Sequence, residues 1–168
     1  DVYLPSWTLF VDDLQDYIQV KRPKVVIGHS IGASLWLLAA QKFNIHFDKV
    51  ILIEPVVFPK YYIWLYECLK LFKVHRRVHP MIKKTLNRQR RFESKQQIVD
   101  RFSSKALFFR FSEPVLDDFI SACFEYKNSG YELVFSPEWE AEIYDKMTLS
   151  INDIWKSLGT VVGDVLLL

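Results

Sequence analysis

Lys24-Val25-Val26-Ile27-Gly28-His29-Ser30-Ile31-Gly32 is the stretch of sequence that decides the fold. The run from Lys24 to Gly28 is short and rich in β-branched residues, which predicts a strand buried on both faces. The residues that follow, 31–43, are rich in Ala and Leu and predict a buried helix. The five residues G-H-S-I-G therefore form a tight strand-to-helix turn with the pattern G-x-S-x-G.

This turn predicts a nucleophile at Ser30. A sharp turn holds the serine in a strained backbone conformation, and side chains at positions 28 and 32 would collide there, so both positions are glycine. The backbone N–H of Ile31 opens the helix and is expected to face a developing oxyanion, with support from the helix dipole. His29 is expected to point away from the serine and to serve in packing or hydrogen bonding. The alternative interpretation is a glycine-bounded turn with an incidental serine.

Outside this turn, the chain alternates between helices and strands at both ends. Residues 49–54 (K-V-I-L-I-E) and 164–168 (D-V-L-L-L) predict two further buried strands. Helices are predicted at 6–20, 61–74, 80–92, from Ser94 onward, at 113–128, 137–147 and 151–158, with an extended piece at 131–135. The fold class is therefore α/β with a parallel sheet, interrupted in the middle by aromatic-rich helices.

Composition excludes several classes of protein. The chain has 168 residues, of which 50% are hydrophobic and 25% are charged, with 5 Gly and 7 Pro, so it is neither disordered nor collagen-like. A net charge of +2 gives no reason to expect nucleic acid as a partner. No H-x-x-x-H or C-x-x-C spacing and no P-loop lysine is present, so neither a metal nor a cofactor is predicted. No targeting signal is seen, so the cytoplasm is the default location.

Charge is balanced overall but divided between two segments. Residues 70–95 contain ten Lys/Arg and one acid, a net charge of +9, and the remainder of the chain carries −7. Residues 113–145 contain nine acids and one Lys. The two segments are able to pair with each other across a surface. The alternatives for 70–95 are a solvated helix face and a weak contact with a membrane or another anionic surface.

The stretch I-G-H-S-I-G-A-S at 27–34, followed by V-I-L-I-E-P at 50–55, resembles the α/β-hydrolase fold family. The helix with Trp7 and Asp12-Asp13 looks like the one that precedes the nucleophile strand in that family. Residues 131–144 (Y-E-L-V-F-S-P-E-W-E-A-E-I-Y) resemble a segment that follows the cap in esterase- and lipase-like members. The resemblance implies a partial hydrolase sheet with helices on both faces, a core at 1–55 and 136–168, and an inserted helical cap at 56–135.

The same resemblance implies that parts of the family's fold are not in this sequence. The early strands, with the loop that supplies the second oxyanion donor, would precede Asp1. The usual acid and the catalytic histidine would follow Leu168. The absence of an initiator Met also indicates that the chain is part of a longer protein. We therefore expect the catalytic base and the second oxyanion donor to lie outside these residues.

Some residues within the chain are alternatives for the missing groups. Glu54 ends the strand after the motif helix, where some members carry their acid, so it is a candidate acid; otherwise it caps or orients the start of the cap. His46 is expected at the far edge of the sheet from Ser30. His75 and His79 lie in the basic segment and are candidate bases only if the cap overhangs the serine.

These observations predict a serine hydrolase that cleaves a small carboxylic ester through an acyl-enzyme, with a hydrophobic acyl group favoured by the aromatic residues at 61–72. An amidase, thioesterase or lactonase would share this sequence pattern. The alternative from another class is a non-catalytic fragment or remnant that acts at most as a binding module. Its exposed sheet edges would then need to be covered.

Overall fold

The computed structural model describes residues 4–159 and 163–168, without the side chains of 148–152. It divides into two compact units. The first extends to Pro80 and resumes at Glu142, and the second comprises Met81–Ala141. The second unit therefore starts and ends at different residues from the predicted insertion at 56–135, whose role as a cap stays a prediction.

The first unit has the predicted α/β organisation. Its elements are α1 (Thr8–Lys21), β1 (Val25–His29), α2 (Ile31–Phe43), β2 (Lys49–Ile53), α3 (Lys60–Leu71), α4 (His75–Val78), α9 (Met147–Leu158) and β6 (Asp164–Leu167). The three strands are parallel in the order β1-β2-β6. The sequence also predicts a loop at 159–163, of which residues 160–162 lie outside the described residues.

The sheet of the first unit is covered on one face by α2, which packs on β1 and β2. Val26 and Leu52 are buried, as expected for side chains on that face. Val25 and Ile27 alternate with them and are 53% and 61% exposed, so the prediction of a strand buried on both faces is wrong for β1. The prediction of burial is also wrong for β6, which is exposed throughout. Both are edge strands of the described sheet, so each has a strand neighbour on only one side.

The second unit combines helices with a small antiparallel sheet. Its elements are β3 (Arg91–Phe92), α6 (Lys95–Ser103), α7 (Glu113–Cys123), β4 (Phe124–Lys127) and β5 (Gly130–Leu133), while α5 (Pro80–Leu86) and α8 (Pro137–Asp145) cross its limits. The strand order is β3-β5-β4. Its core contains Phe92, Ile98, Phe102, Leu116, Ile120 and Phe124. As predicted, a helix begins at Ser94, which caps α6: its hydroxyl accepts a hydrogen bond from the Gln97 amide.

Two predicted helices end early in this unit. The helix expected at 80–92 ends at Leu86, and the one expected at 113–128 ends at Cys123. After Cys123 the chain forms a β-hairpin, because Asn128 and Ser129 both adopt positive φ (53° and 60°) and turn β4 directly into β5. Gly130 is thus the first residue of a strand and does not terminate a helix.

Among the described residues, no helix has the length and apolar character needed to cross a bilayer.

Candidate active site

Ser30 occupies the turn between β1 and α2 in a conformation that non-glycine residues rarely adopt. Its φ is 53° and its ψ is −122°. A residue held in such a sparsely populated region costs roughly 1–3 kcal/mol, which the surrounding structure must offset. Part of that support is visible, since the Ser30 amide donates to the Ile53 carbonyl at 2.9 Å and so ties the turn to the end of β2. The turn presents Ser30 at the carboxyl edge of the parallel sheet.

The two glycines of the motif have different reasons to be glycine. A Cβ on Gly28 would lie 2.6 Å from both the Cα and the N of Ala33, so the backbone of α2 approaches β1 too closely for any side chain. A Cβ on Gly32 would meet nothing within 4 Å. The prediction of a collision is therefore confirmed at Gly28 and wrong at Gly32, because only a Cβ at position 28 would point into the backbone of α2.

The N-terminus of α2 offers hydrogen-bond donors next to Ser30. The Ser30 carbonyl accepts from the amides of Ala33 and Ser34, at 3.1 and 3.3 Å. Within the described part of the chain, the Ile31 amide has no acceptor, as is usual for the first N–H groups of a helix. An anion placed there would gain from this donor and from the helix dipole, which is the arrangement that an oxyanion site requires.

His29 ends β1 and Glu54 directly follows the neighbouring strand β2, so the two residues face each other at the sheet edge. The Glu54 carboxylate lies 3.8 Å from His29 Nε2, and the two side chains are 81% and 66% exposed. His29 is therefore not a packing residue, since its imidazole is largely in solvent beside this carboxylate. Glu54 also has a positive φ of 46°, and its amide donates to the Leu168 carbonyl at 2.9 Å. As candidate acid, Glu54 stands at the correct edge of the sheet, with His29 as its described imidazole contact.

Ser34 is a residue of the site that sequence reasoning missed. It is fully buried on α2, and its hydroxyl both accepts from the Val56 amide (2.9 Å) and donates to the Val56 carbonyl (3.2 Å). This pair of bonds fixes the chain just beyond Glu54 against the helix that carries Ser30. No local pattern indicates it, because the partners are 22 residues apart.

Replacing Ser34 by alanine should lower the free energy of unfolding by ~1–3 kcal/mol, because it leaves the N–H and carbonyl of Val56 without their partner. Urea unfolding followed by circular dichroism measures the change. The matched control is Ser103→Ala, which removes an exposed helical hydroxyl bonded to the Val99 carbonyl and should change stability by no more than ~0.5 kcal/mol. Equal effects of the two substitutions would contradict a locking role for Ser34.

The other three histidines, His46, His75 and His79, lie in different environments. His46 is exposed in the loop between α2 and β2, at the opposite end of the strands from Ser30, as predicted. His75 Nε2 lies 3.1 Å from Asp145 Oδ1, which also accepts from the Tyr66 hydroxyl at 3.1 Å. His79 is buried against the rings of Tyr66 and Tyr144. Within the described part of the chain, no hydrogen bond joins an imidazole to the Ser30 hydroxyl.

Burial shifts the pKa of two of these groups, His79 and Tyr66. It lowers the pKa of His79, an effect that Asp145 opposes and His75 reinforces. Burial, together with the charge and hydrogen bond of Asp145, raises the pKa of the Tyr66 hydroxyl far above its usual value. Since the unfolded chain protonates His79 before the folded chain does, this residue reduces stability as the pH falls below about 6.5.

The basic and acidic segments do pair, as their charges predicted. Within the first unit, Arg76 bonds Glu142 at 2.8 Å. Within the second unit, Arg88 bonds Glu140 through two parallel hydrogen bonds of 2.6 and 2.9 Å. Further pairs in the second unit are Arg90–Glu138, Arg91–Glu132 and Lys95–Asp117. Much of the positive charge of residues 70–95 is therefore balanced inside the chain, which leaves fewer free cations for an external surface.

Comparison with known proteins places the chain among hydrolases. The family model for serine aminopeptidase, S33, matches residues 1–110, which include β1, the Ser30 turn, α2 and β2. Among solved structures, the peroxisomal alpha-beta-hydrolase Lpx1 of Saccharomyces cerevisiae superposes with a TM-score of 0.65 at 16% sequence identity. This alignment covers 94% of the present chain and 44% of Lpx1, so the chain spans less than half the length of that protein. A search of curated protein sequences found no significant match. The predicted α/β-hydrolase fold is confirmed.

Proposed function

The chain belongs to the serine aminopeptidase S33 family of α/β hydrolases, and from that premise we propose that it provides the nucleophile of a serine hydrolase acting on carboxylic esters. The observation that carries the proposal is the backbone of Ser30, held at φ 53° and ψ −122° between β1 and the N-terminus of α2. Such strain persists where the surrounding structure enforces it, and it is typical of functional sites.

In the proposed reaction, the Ser30 hydroxyl loses its proton to a base and its oxygen attacks the carbonyl carbon of the ester. The resulting oxyanion accepts a hydrogen bond from the Ile31 amide. Collapse of this intermediate expels the alcohol, which takes up the proton, and leaves an acyl group on Ser30. Water then attacks the acyl-enzyme with the same base as proton acceptor, which releases the acid and restores the serine.

The base and the second oxyanion donor are, in this proposal, outside the 168 residues. His75 and His79 are engaged with Asp145 and with aromatic rings, and His29 faces Glu54 across solvent. Glu54 remains the proposed acid within the chain, because it directly follows β2, the neighbour of the strand that leads to Ser30. We propose a substrate with an apolar acyl group, because the aromatic side chains of Tyr61 and Trp64 on α3 are 73% and 70% exposed and so are available to contact one.

Fluorophosphonate labelling followed by intact-mass measurement tests the nucleophile. We expect one phosphonyl group per chain, lost in Ser30→Ala and retained in Ser104→Ala, which removes an exposed serine elsewhere. Added free imidazole should accelerate labelling at least ~10-fold, because general-base catalysis contributes ~10²–10⁴-fold when the base is in place.

Two results would decide between this proposal and its alternatives. A folded chain that resists labelling with and without imidazole would contradict the nucleophile and favour a non-catalytic binding module. If labelling succeeds, p-nitrophenyl esters and aminoacyl p-nitroanilides should be compared in the longest form of the protein that can be isolated. Faster turnover of the anilides would replace the ester proposal with the aminopeptidase activity named in the family description.

A further inference from the structure

The second unit contains a pocket in which basic side chains converge. Its volume is about 310 Å³, at the small end of the range of ligand sites. Lys84 comes from α5, Arg88 from the turn that follows, Arg101 from α6 and Lys105 from the turn after α6. The aromatic rings of Phe92 and Phe102, two members of the unit's core, complete the wall.

The positive charge of this pocket exceeds the nearby negative charge. Arg88 is neutralised by Glu140, which holds it in a two-bond pair. Across the residues that the structure describes, no carboxylate forms an ion pair with Lys84, Arg101 or Lys105. The pocket therefore retains a net positive charge after the internal pairing of the basic and acidic segments.

Lys105 shows the effect of this excess charge on a single group. Its ammonium lies over the Phe102 ring, 3.9 Å from the centroid, and is partly removed from water. Burial, followed by the charges of Arg101, Arg88 and Lys84, lowers its pKa. The cations thus repel one another at this place, and an anion among them would relieve the repulsion.

We propose that this pocket binds the phosphate group of a small phosphorylated ligand or lipid headgroup. A phosphate carries nearly two negative charges at neutral pH and three acceptor oxygens, which suits several unneutralised cations better than a carboxylate does. The planar guanidinium of Arg101 is able to donate two parallel hydrogen bonds to phosphate, and the two lysines supply point charges. The side-chain amide of Asn87, also on the wall, adds a neutral donor. The observations behind this proposal all come from the second unit, so the proposal does not rest on the proposed hydrolase function.

Inorganic pyrophosphate is the first probe, titrated calorimetrically into the full chain at constant ionic strength. We expect Lys84→Gln and Arg101→Gln each to weaken its binding ~10-fold or more, since hydrogen bonds between charged groups contribute strongly to affinity. The matched control is Lys83→Gln, which removes the same charge from the adjacent exposed position of α5 without touching the pocket, and should weaken binding less than ~2-fold by general charge alone.

A second arm distinguishes the source of the phosphate. Phosphatidylcholine vesicles with and without phosphatidic acid are sedimented with the chain and with the same three variants. If pyrophosphate binds and its binding depends on Lys84 and Arg101, the pocket takes a free ligand. If only the phosphatidic acid vesicles bind, with the same dependence on Lys84 and Arg101, the pocket takes a lipid headgroup. Absence of binding in both arms, or an equal loss in Lys83→Gln, would overturn the proposal.

Discussion

Gly28→Ala should reduce the free energy of unfolding of the first unit by ~3 kcal/mol, the upper end of the usual range for overpacking. The added methyl carbon would stand 2.6 Å from backbone atoms of Gly32 and Ala33, a distance that real Cβ atoms do not reach. These atoms belong to the first turn of α2, so they are unable to rotate aside as a side chain would. Relief requires α2 to move away from β1, and α2 is the helix that covers the sheet.

The chain supplies its own control for this substitution. Gly32→Ala adds the same methyl group four residues later, where no atom lies within 4 Å, and alanine favours a helix over glycine by ~1 kcal/mol. Urea and thermal unfolding of both variants, followed by circular dichroism, should separate a strongly destabilised Gly28→Ala from a Gly32→Ala that is as stable as the parent or more so. A similar loss in both variants would mean that the two glycines share one role, as the sequence alone suggested.

The Ser30 turn could be predicted from the sequence because its chemistry is local. Five consecutive residues, G-H-S-I-G, with a β-branched run before and an Ala/Leu-rich helix after, leave few other conformations for the chain. The positive φ of Ser30 and the tight contact at Gly28 follow from that pattern. The parallel strands were also predictable, since short apolar runs at 49–53 and 164–167 recur after helical segments.

Other features depend on contacts that no short stretch of sequence encodes. The hairpin after Cys123 was missed because its turn is Asn128-Ser129, a weaker signal than Asn-Gly, and because the residues before it continue a helical pattern. The exposure of Val25 and Ile27 was missed because an apolar run does not reveal how many faces of its strand are covered. The pocket of the second unit is formed by residues from α5, α6 and the turns after them. Sequence reasoning therefore found the basic segment 70–95 but not the convergence of its Lys84 with Arg101 and Lys105.

Asp145, like Ser34, has a role that no short stretch of sequence predicts, since its partner Tyr66 is 79 residues away in the chain. Asp145 is 5% exposed, and one of its oxygens accepts from Tyr66 and lies 3.1 Å from His75 Nε2. The other oxygen is 3.6 Å from the Lys146 ammonium. The carboxylate therefore joins α3, α4 and the end of α8, three elements that are separate in the chain.

Asp145→Ala should lower the free energy of unfolding by ~3–5 kcal/mol, the usual effect of removing one partner from a buried charged network. The hydroxyl of Tyr66 and the imidazole of His75 would remain inside the unit without their acceptor. The measurement is urea unfolding at pH 7.5, with Asp153→Ala as control. Asp153 pairs with Lys156 in solvent, so its removal should change stability by no more than ~1 kcal/mol.

A pH series gives the same substitution a second signature. Asp145 partly offsets the burial that lowers the pKa of His79, and without it the folded-state pKa should fall further. The folded state then resists protonation over a wider range below about pH 6.5, so Asp145→Ala should lose more stability on acidification than the parent does. The charges that face His79 from its neighbours include His75 and Asp145, and Arg76, Glu142 and Lys146 belong to the same network. If Asp145→Ala has the same free energy of unfolding as the parent at pH 7.5 and loses no more of it on acidification, Asp145 does not stabilise this part of the unit.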